Sequence, residues 1–184
     1  MSEARLRLFV ALELPANTRS ALAEWRASAA DEQFLRPLAA DSLHVTLCFL
    51  GWWAEAEVPQ IAAACDVVSS QSSVELRLGQ ALWLPRREPR VLAVALEEID
   101  QRLSVVQDLL AKRLQAGGWY VPERRRFLAH VTVARVRRGQ TPVARELSQP
   151  PPASLTGERV TLFRSALSPT GAQYDALHTV TLAA

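Results

Sequence analysis

Leu43-His44-Val45-Thr46-Leu47-Cys48-Phe49-Leu50-Gly51 sets a histidine and a threonine two residues apart inside an apolar run. β-branched and aromatic residues closed by a glycine predict a strand. Side chains alternate across a strand, so His44, Thr46 and Cys48 are expected on one face. Val45, Leu47 and Phe49 are expected on the other, against the core. Phe127-Leu128-Ala129-His130-Val131-Thr132-Val133-Ala134-Arg135 repeats the arrangement, with Val131 and Val133 opposite His130 and Thr132. The chain has three histidines, and two of them occupy these matched His-x-Thr-x units, a little under half the chain apart. Matching of so scarce a residue predicts a duplication that brings two similar strands to one site.

Working outward, Arg5 to Leu14 reads as a buried strand, and Pro15 opens a helix to about Ala30 with Leu22 and Trp25 on one face. Asp31 to Asp41 reads as a loop or short edge strand. Glu55 to Val68 has helical spacing at Val58, Ile61, Ala62 and Cys65, and Ser69 to Ser73 is a turn. Val74 to Leu84 alternates as a half-exposed strand. Pro85 to Arg90 is a hairpin-like connection and Val91 to Leu96 a strand. Ile99 to Leu114 is an amphipathic helix stopped by Gly117-Gly118. Trp119 to Arg126 is a loop, and Thr141-Pro142-Val143 opens a short helix. Gln149-Pro150-Pro151-Pro152 is a break between strands. Glu158 to Leu167 and Tyr174 to Leu182 are strands about a turn at Ser168-Pro169-Thr170-Gly171. The expected class is α+β with largely antiparallel strands, and residues 1–184 form one domain.

Composition narrows the partners. A hydrophobic fraction of 49% with 22% charged residues is that of an ordinary globular domain. No apolar run approaches the ~18 residues of a membrane span. The start, Met1-Ser2-Glu3-Ala4-Arg5, has no signal-peptide pattern, so a cytoplasmic protein is expected. A monomer is expected as well. Cys48 and Cys65 form no disulfide framework or Cys-x-x-Cys pattern. A net charge of +2 does not by itself argue for nucleic acid. The distribution says more, because six arginines and no acid fall between Arg124 and Arg138, around the second motif. That patch suits phosphate recognition by guanidinium, or is a solvated face. Trp52, Trp53, Trp83 and Trp119 are available for stacking on a base or for core packing.

The paired motifs resemble those of the two-histidine phosphoesterases, and the flanks resemble the bacterial and archaeal RNA 2',3'-cyclic phosphodiesterases, the 2'-5' RNA ligase-like family. Arg7-Leu8-Phe9-Val10-Ala11-Leu12-Glu13-Leu14-Pro15 is similar to that family's first strand. Phe49-Leu50-Gly51, Ala134-Arg135 and the stretch from Ser165-Ala166-Leu167 through Gly171 to Tyr174 also fit. Ala129 departs from it, standing where the family commonly has proline. The resemblance implies a bilobal, pseudo-two-fold fold in which two mainly antiparallel sheets with helices outside flank a central cleft. It implies hydrolysis of 2',3'-cyclic phosphate ends of RNA to a 2'-phosphomonoester, and reverse 2'-5' joining as a further possibility. His44 would then be the proton donor and His130 the acceptor, with Arg135 near the phosphate.

The residues themselves agree with such chemistry. In-line attack of water on phosphorus needs one proton removed and one supplied, and imidazole with a pKa near ~6.5 can do either. Thr46 and Thr132, on the histidine faces, would donate to the non-bridging oxygens. Arg135, five residues after His130, should point away on a regular strand unless a bulge near Ala134 re-aims it. Trp52 and Arg126 are the candidate contacts to the rest of the substrate. No cofactor or metal is expected, and His178 is expected to be structural or exposed. The partner is RNA with 2',3'-cyclic ends, tRNA fragments among them, or cyclic nucleotides. Three rivals stay open: an RNA-end-binding module without turnover, a cyclic phosphodiesterase of small nucleotides, and a metal site of His44, His130 and Cys48.

Overall fold

Strand β1 (Arg5–Glu13) carries Leu8, Val10 and Leu12, all fully buried, on the face that becomes the core. In the computed structural model, which describes residues 4–29, 33–140, 147–168 and 171–184, β1 is followed by helix α1 (Ala16–Ala29). Pro15 stands just ahead of its first turn, and the Asn17 side-chain oxygen accepts from the Thr18 N–H at 2.8 Å. Thr18, Leu22 and Trp25 recur at helical spacing and are the residues α1 buries. The short strand β2 (Leu35–Pro37) and a 3₁₀ turn at Ala40–Ser42 lead into β3 (His44–Ala54).

Helix α2 (Val58–Cys65) is shorter than its spacing suggests, with 3₁₀ turns at Glu55–Glu57 and Asp66–Val68 on either side. Pro59 has no N–H and fits only the opening positions of an α-helix, so the α geometry starts there. Strands β4 (Val74–Leu84) and β5 (Val91–Glu98) form the expected hairpin. Helix α3 (Arg102–Ala116) starts three residues later than expected. The Asp100 carboxylate accepts from the Arg102 N–H at 3.2 Å and Glu98 from the Ser104 N–H at 2.9 Å, which fixes its first turn. It stops at Gly117-Gly118, where Gly118 takes a φ of 81°.

The second motif lies in β6 (His130–Val136), and β7 (Ser154–Gly157) is a strand the break at 149–152 gave no sign of. Strands β8 (Arg159–Ser168) and β9 (Gly171–Thr181) close the chain. The expected helix at 141–143 lies outside the described residues, as do Pro169 and Thr170 of the expected turn.

All pairings between these strands are antiparallel, and the order across the sheet is β7-β4-β5-β6-β3-β1-β8-β9, with β2 on the free side of β6. The order is symmetric about the β6–β3 contact. Strands β3, β1, β8 and β9 mirror β6, β5, β4 and β7, and α1 after β1 mirrors α3 after β5. The two expected sheets are thus halves of one curled sheet, joined at a single registered pair, Val45 with Val131. The halves meet again where one residue, Glu158, links the outer strand β7 of one to β8 of the other.

That second junction is tight. A Cβ on Gly157 would stand 2.6 Å from Leu12 Cδ2 and 2.9 Å from Val74 Cγ2, both side chains being fully buried. Gly157→Ala should therefore lower the unfolding free energy by ~1–3 kcal/mol, read as a reduced denaturation midpoint at unchanged slope.

Candidate active site

Each motif strand carries a β-bulge at the same place. In the β1–β3 ladder Ala11 pairs with Thr46 and Val10 with Cys48, which leaves Leu47 as the extra residue. In the β5–β6 ladder Ala93 pairs with Thr132 and Leu92 with Ala134, which leaves Val133 as the extra residue. Both are the third residue after the histidine. A bulge turns two successive residues to one side and inverts the alternation beyond it. Leu47 with Cys48, and Val133 with Ala134, accordingly all lie in the core.

Two expectations are corrected by this. Phe49 is not a core residue but is 46% exposed on the histidine face. Cys48 is not on the His44 face; it is 1% exposed among core side chains, and burial pushes its thiol pKa up to about 12. It is placed neither to react nor to complete a metal site with His44 and His130. The same inversion re-aims Arg135, the counterpart of Phe49 in the second strand, onto the face of His130 and Thr132.

The Val45–Val131 pair sets the relation of the motifs. Continuing this antiparallel register by one residue each way puts His44 beside Thr132 and Thr46 beside His130. Each histidine thus has its own threonine two residues on and the other motif's threonine across the ladder.

The ring nitrogens are held alike. His44 Nδ1 lies 2.8 Å from the Ser42 carbonyl oxygen, and His130 Nδ1 lies 2.8 Å from that of Leu128. A carbonyl only accepts, so Nδ1 carries the hydrogen in both rings and Nε2 is the nitrogen left for chemistry. At His44 the Thr46 hydroxyl donates to Nε2 across 3.1 Å.

Their surroundings differ. The His44 ring centroid lies 4.9 Å from Phe9, 5.2 Å from Tyr174 in edge contact and 6.4 Å from Phe163. Desolvation by this wall lowers the His44 pKa to about 4, against the opposing pull of the Ser42 bond. Electrostatic interaction with the Arg135 guanidinium, and with His130, lowers it further, so all three groups share one electrostatic neighbourhood.

Arg126 is exposed in the loop before β6, as are Arg124 and Arg125. Trp52 is 54% exposed at the far end of β3, roughly 25 Å from His44 at ~3.3 Å per residue. Trp53, Trp83 and Trp119 pack against the core, Trp53 donating to the Leu50 carbonyl at 2.9 Å and Trp119 to Glu57 at 2.5 Å. His178 is held by Asp66 at 2.7 Å, a structural role as expected. Residue-by-residue reading did not identify Phe9, Phe163 and Tyr174 as a wall of the site. The signal was available in register, since Phe9 pairs with Phe163 in β1–β8 and Ser165 with Tyr174 in β8–β9.

Comparison with known proteins places this geometry among relatives. The model of the 2'-5' RNA ligase superfamily matches residues 14–168. The RNA 2',3'-cyclic phosphodiesterase of Escherichia coli K12 is 32% identical over 136 residues, covering 73% of this chain and 74% of that protein. The protein of the same name from Thermus thermophilus is 31% identical over 191 residues, covering 96% and 90%. Among solved structures, E. coli LigT complexed with 3'-AMP superposes with a TM-score of 0.84 at 26% identity, covering 97% of this chain and 99% of that one.

The low His44 pKa has a stability consequence. The folded pKa of about 4 lies below the unfolded value of ~6.5, so the unfolded chain binds the extra proton more readily between them. The resulting stability is full above about pH 6.5 and is lost as the pH falls towards 4. Across that window wild type should lose unfolding free energy relative to His44→Gln. An unchanged difference between the two proteins would show that His44 is not held neutral.

Proposed function

This chain belongs to the 2'-5' RNA ligase superfamily, and from that premise we propose that it hydrolyses 2',3'-cyclic phosphate ends of RNA to 2'-phosphomonoesters, with His44 and His130 carrying the protons. The observation that carries the reading is the mirrored pair of rings. Each is oriented by a backbone carbonyl two residues upstream, and each lies across the ladder from the other motif's threonine.

In the reaction His130 Nε2 takes a proton from the attacking water while the new P–O bond forms. The bond from phosphorus to the 3' oxygen breaks, and His44 Nε2 delivers a proton to that oxygen. Thr46 and Thr132 hydroxyls, with Arg135, meet the charge that grows on the non-bridging oxygens. His44 is neutral in the empty site at neutral pH. The cyclic phosphate brings a negative charge that offsets the Arg135 guanidinium, so His44 takes up its proton as substrate binds. Arg124, Arg125 and Arg126 guide the RNA backbone towards the cleft of this cytoplasmic enzyme.

The deciding assay follows a cyclic-ended oligonucleotide in EDTA under single-turnover conditions and identifies the product isomer. His44→Ala and His130→Ala should each lower the rate by ~10²–10⁴ with binding within several-fold. Thr46→Val and Thr132→Val should cost ~10–10³. A p-nitrophenyl phosphodiester, whose leaving group needs no proton, separates the roles. It should restore most of the rate to His44→Ala and little to His130→Ala. Near wild-type turnover by His44→Ala on RNA would favour a binding module instead.

Replacing Arg124, Arg125 and Arg126 together should raise KM for oligonucleotides and flatten its salt dependence, with a cyclic mononucleotide unaffected. Equal losses on both substrates would remove the guiding role.

A further inference from the structure

Arg36 and Arg135 stand directly opposite each other in the β2–β6 ladder. Residues so paired project from the same face with Cβ atoms ~4.5–5.5 Å apart, and like charges in that position repel. Both side chains are exposed. Among the described residues no carboxylate forms an ion pair with either. Arginine cannot relieve the repulsion by losing its proton.

The placement is imposed by the fold. Leu35 beside Arg36 is buried and faces Val136 in the ladder. The Leu38 N–H donates to the Val133 carbonyl at 3.0 Å and the Arg137 N–H to that of Phe34 at 2.8 Å, bracketing the strand at both ends. Strand β2 takes up the side of β6 that β3 leaves beyond the motif, so the guanidinium pair lies just past His44 and Thr132. A sheet that keeps two unneutralised guanidiniums face to face on the histidine side is built to hold an anion between them.

We propose that Arg36 and Arg135 form a second anion site, which receives the phosphodiester on the 5' side of the terminal nucleoside while the cyclic phosphate sits between the histidines. This rests on the hydrolytic reading above and adds a substrate preference: the site selects the end of an RNA chain over a free cyclic nucleotide. Two guanidiniums grip one phosphate through paired N–H bonds, a geometry lysine or water does not supply. Arg135 faces both phosphates, whereas Arg36 meets only the second.

The test compares a cyclic-ended dinucleotide with a nucleoside 2',3'-cyclic phosphate lacking any 5'-phosphate, using wild type and Arg36→Gln. Wild type should favour the dinucleotide in kcat/KM. Arg36→Gln should lose ~10- to 100-fold on the dinucleotide and stay within about two-fold on the mononucleotide. Equal losses on both substrates, or no loss on the dinucleotide, would overturn the proposal. Hydrolysis of neither substrate by wild type would instead refute the hydrolytic reading, and a second measurement then decides the anion site. In phosphate-free buffer Arg36→Gln should melt no lower than wild type, because a repulsive neighbour has gone. Inorganic phosphate should raise the Tm of wild type by more than that of the variant. A lower Tm without phosphate, or equal shifts with it, would make Arg36 a structural residue and end the proposal.

Discussion

One pair of valines, Val45 with Val131, registers the two halves of this molecule against each other. The geometry of the site depends on it, because each half contributes only one of the two motif histidines. An antiparallel ladder has a local two-fold axis at a directly opposed pair. With the axis there, two copies of one short motif become a site in which each histidine faces the other copy's threonine. A slip of one residue at this pair would turn both histidines into the core and both valines into solvent. Full burial of both valines opposes that slip.

The halves are alike in backbone and unlike in what they present. The same bulge in each turns the fifth residue after the histidine into the cleft, and that residue is Phe49 in one strand and Arg135 in the other. Around His44 the first half supplies Phe9, Phe163 and Tyr174, with the Arg7 guanidinium 4.7 Å above the Phe49 ring. On the side of Arg135 the sheet supplies Arg36, and small residues, Ala93 and Ala95, flank Thr132 and His130 in the ladder. A symmetric backbone thus carries a polar chemistry, in which one imidazole is dried by rings and the other is not. Two identical histidines would compete for the same proton; unequal surroundings suit the two different tasks proposed for them.

Much of this was legible in the sequence. The two His-x-Thr-x units, the antiparallel α+β class and most element boundaries follow from alternation, helical spacing and breakers. Alternation failed at Cys48 and Phe49, and left Arg135 in doubt, for one reason. A bulge at an ordinary Leu or Val carries no local signature, because the extra residue is defined by the partner strand. Only the two motifs read together offered a hint, since both place a residue suited to the cleft at the parity that a regular strand would bury. Strand β7 and the pairing of Arg36 with Arg135 were hidden similarly, being facts about neighbours distant in sequence. The aromatic wall lay in three separate strands and becomes visible only when their ladders are aligned.

The single-residue link at Glu158 bears on how the molecule can move. Val45, Leu12 and Val160 lie in register across β3, β1 and β8, so the link enters β8 at the level of the valine pair. The halves are therefore tied at this level both by hydrogen bonds and by covalent chain, in addition to the packing of α3 on β3 and of α1 on β6. A link of one residue leaves the chain no slack at that level. The covalent tie and the buried valine pair together hold the two imidazoles at a constant gauge.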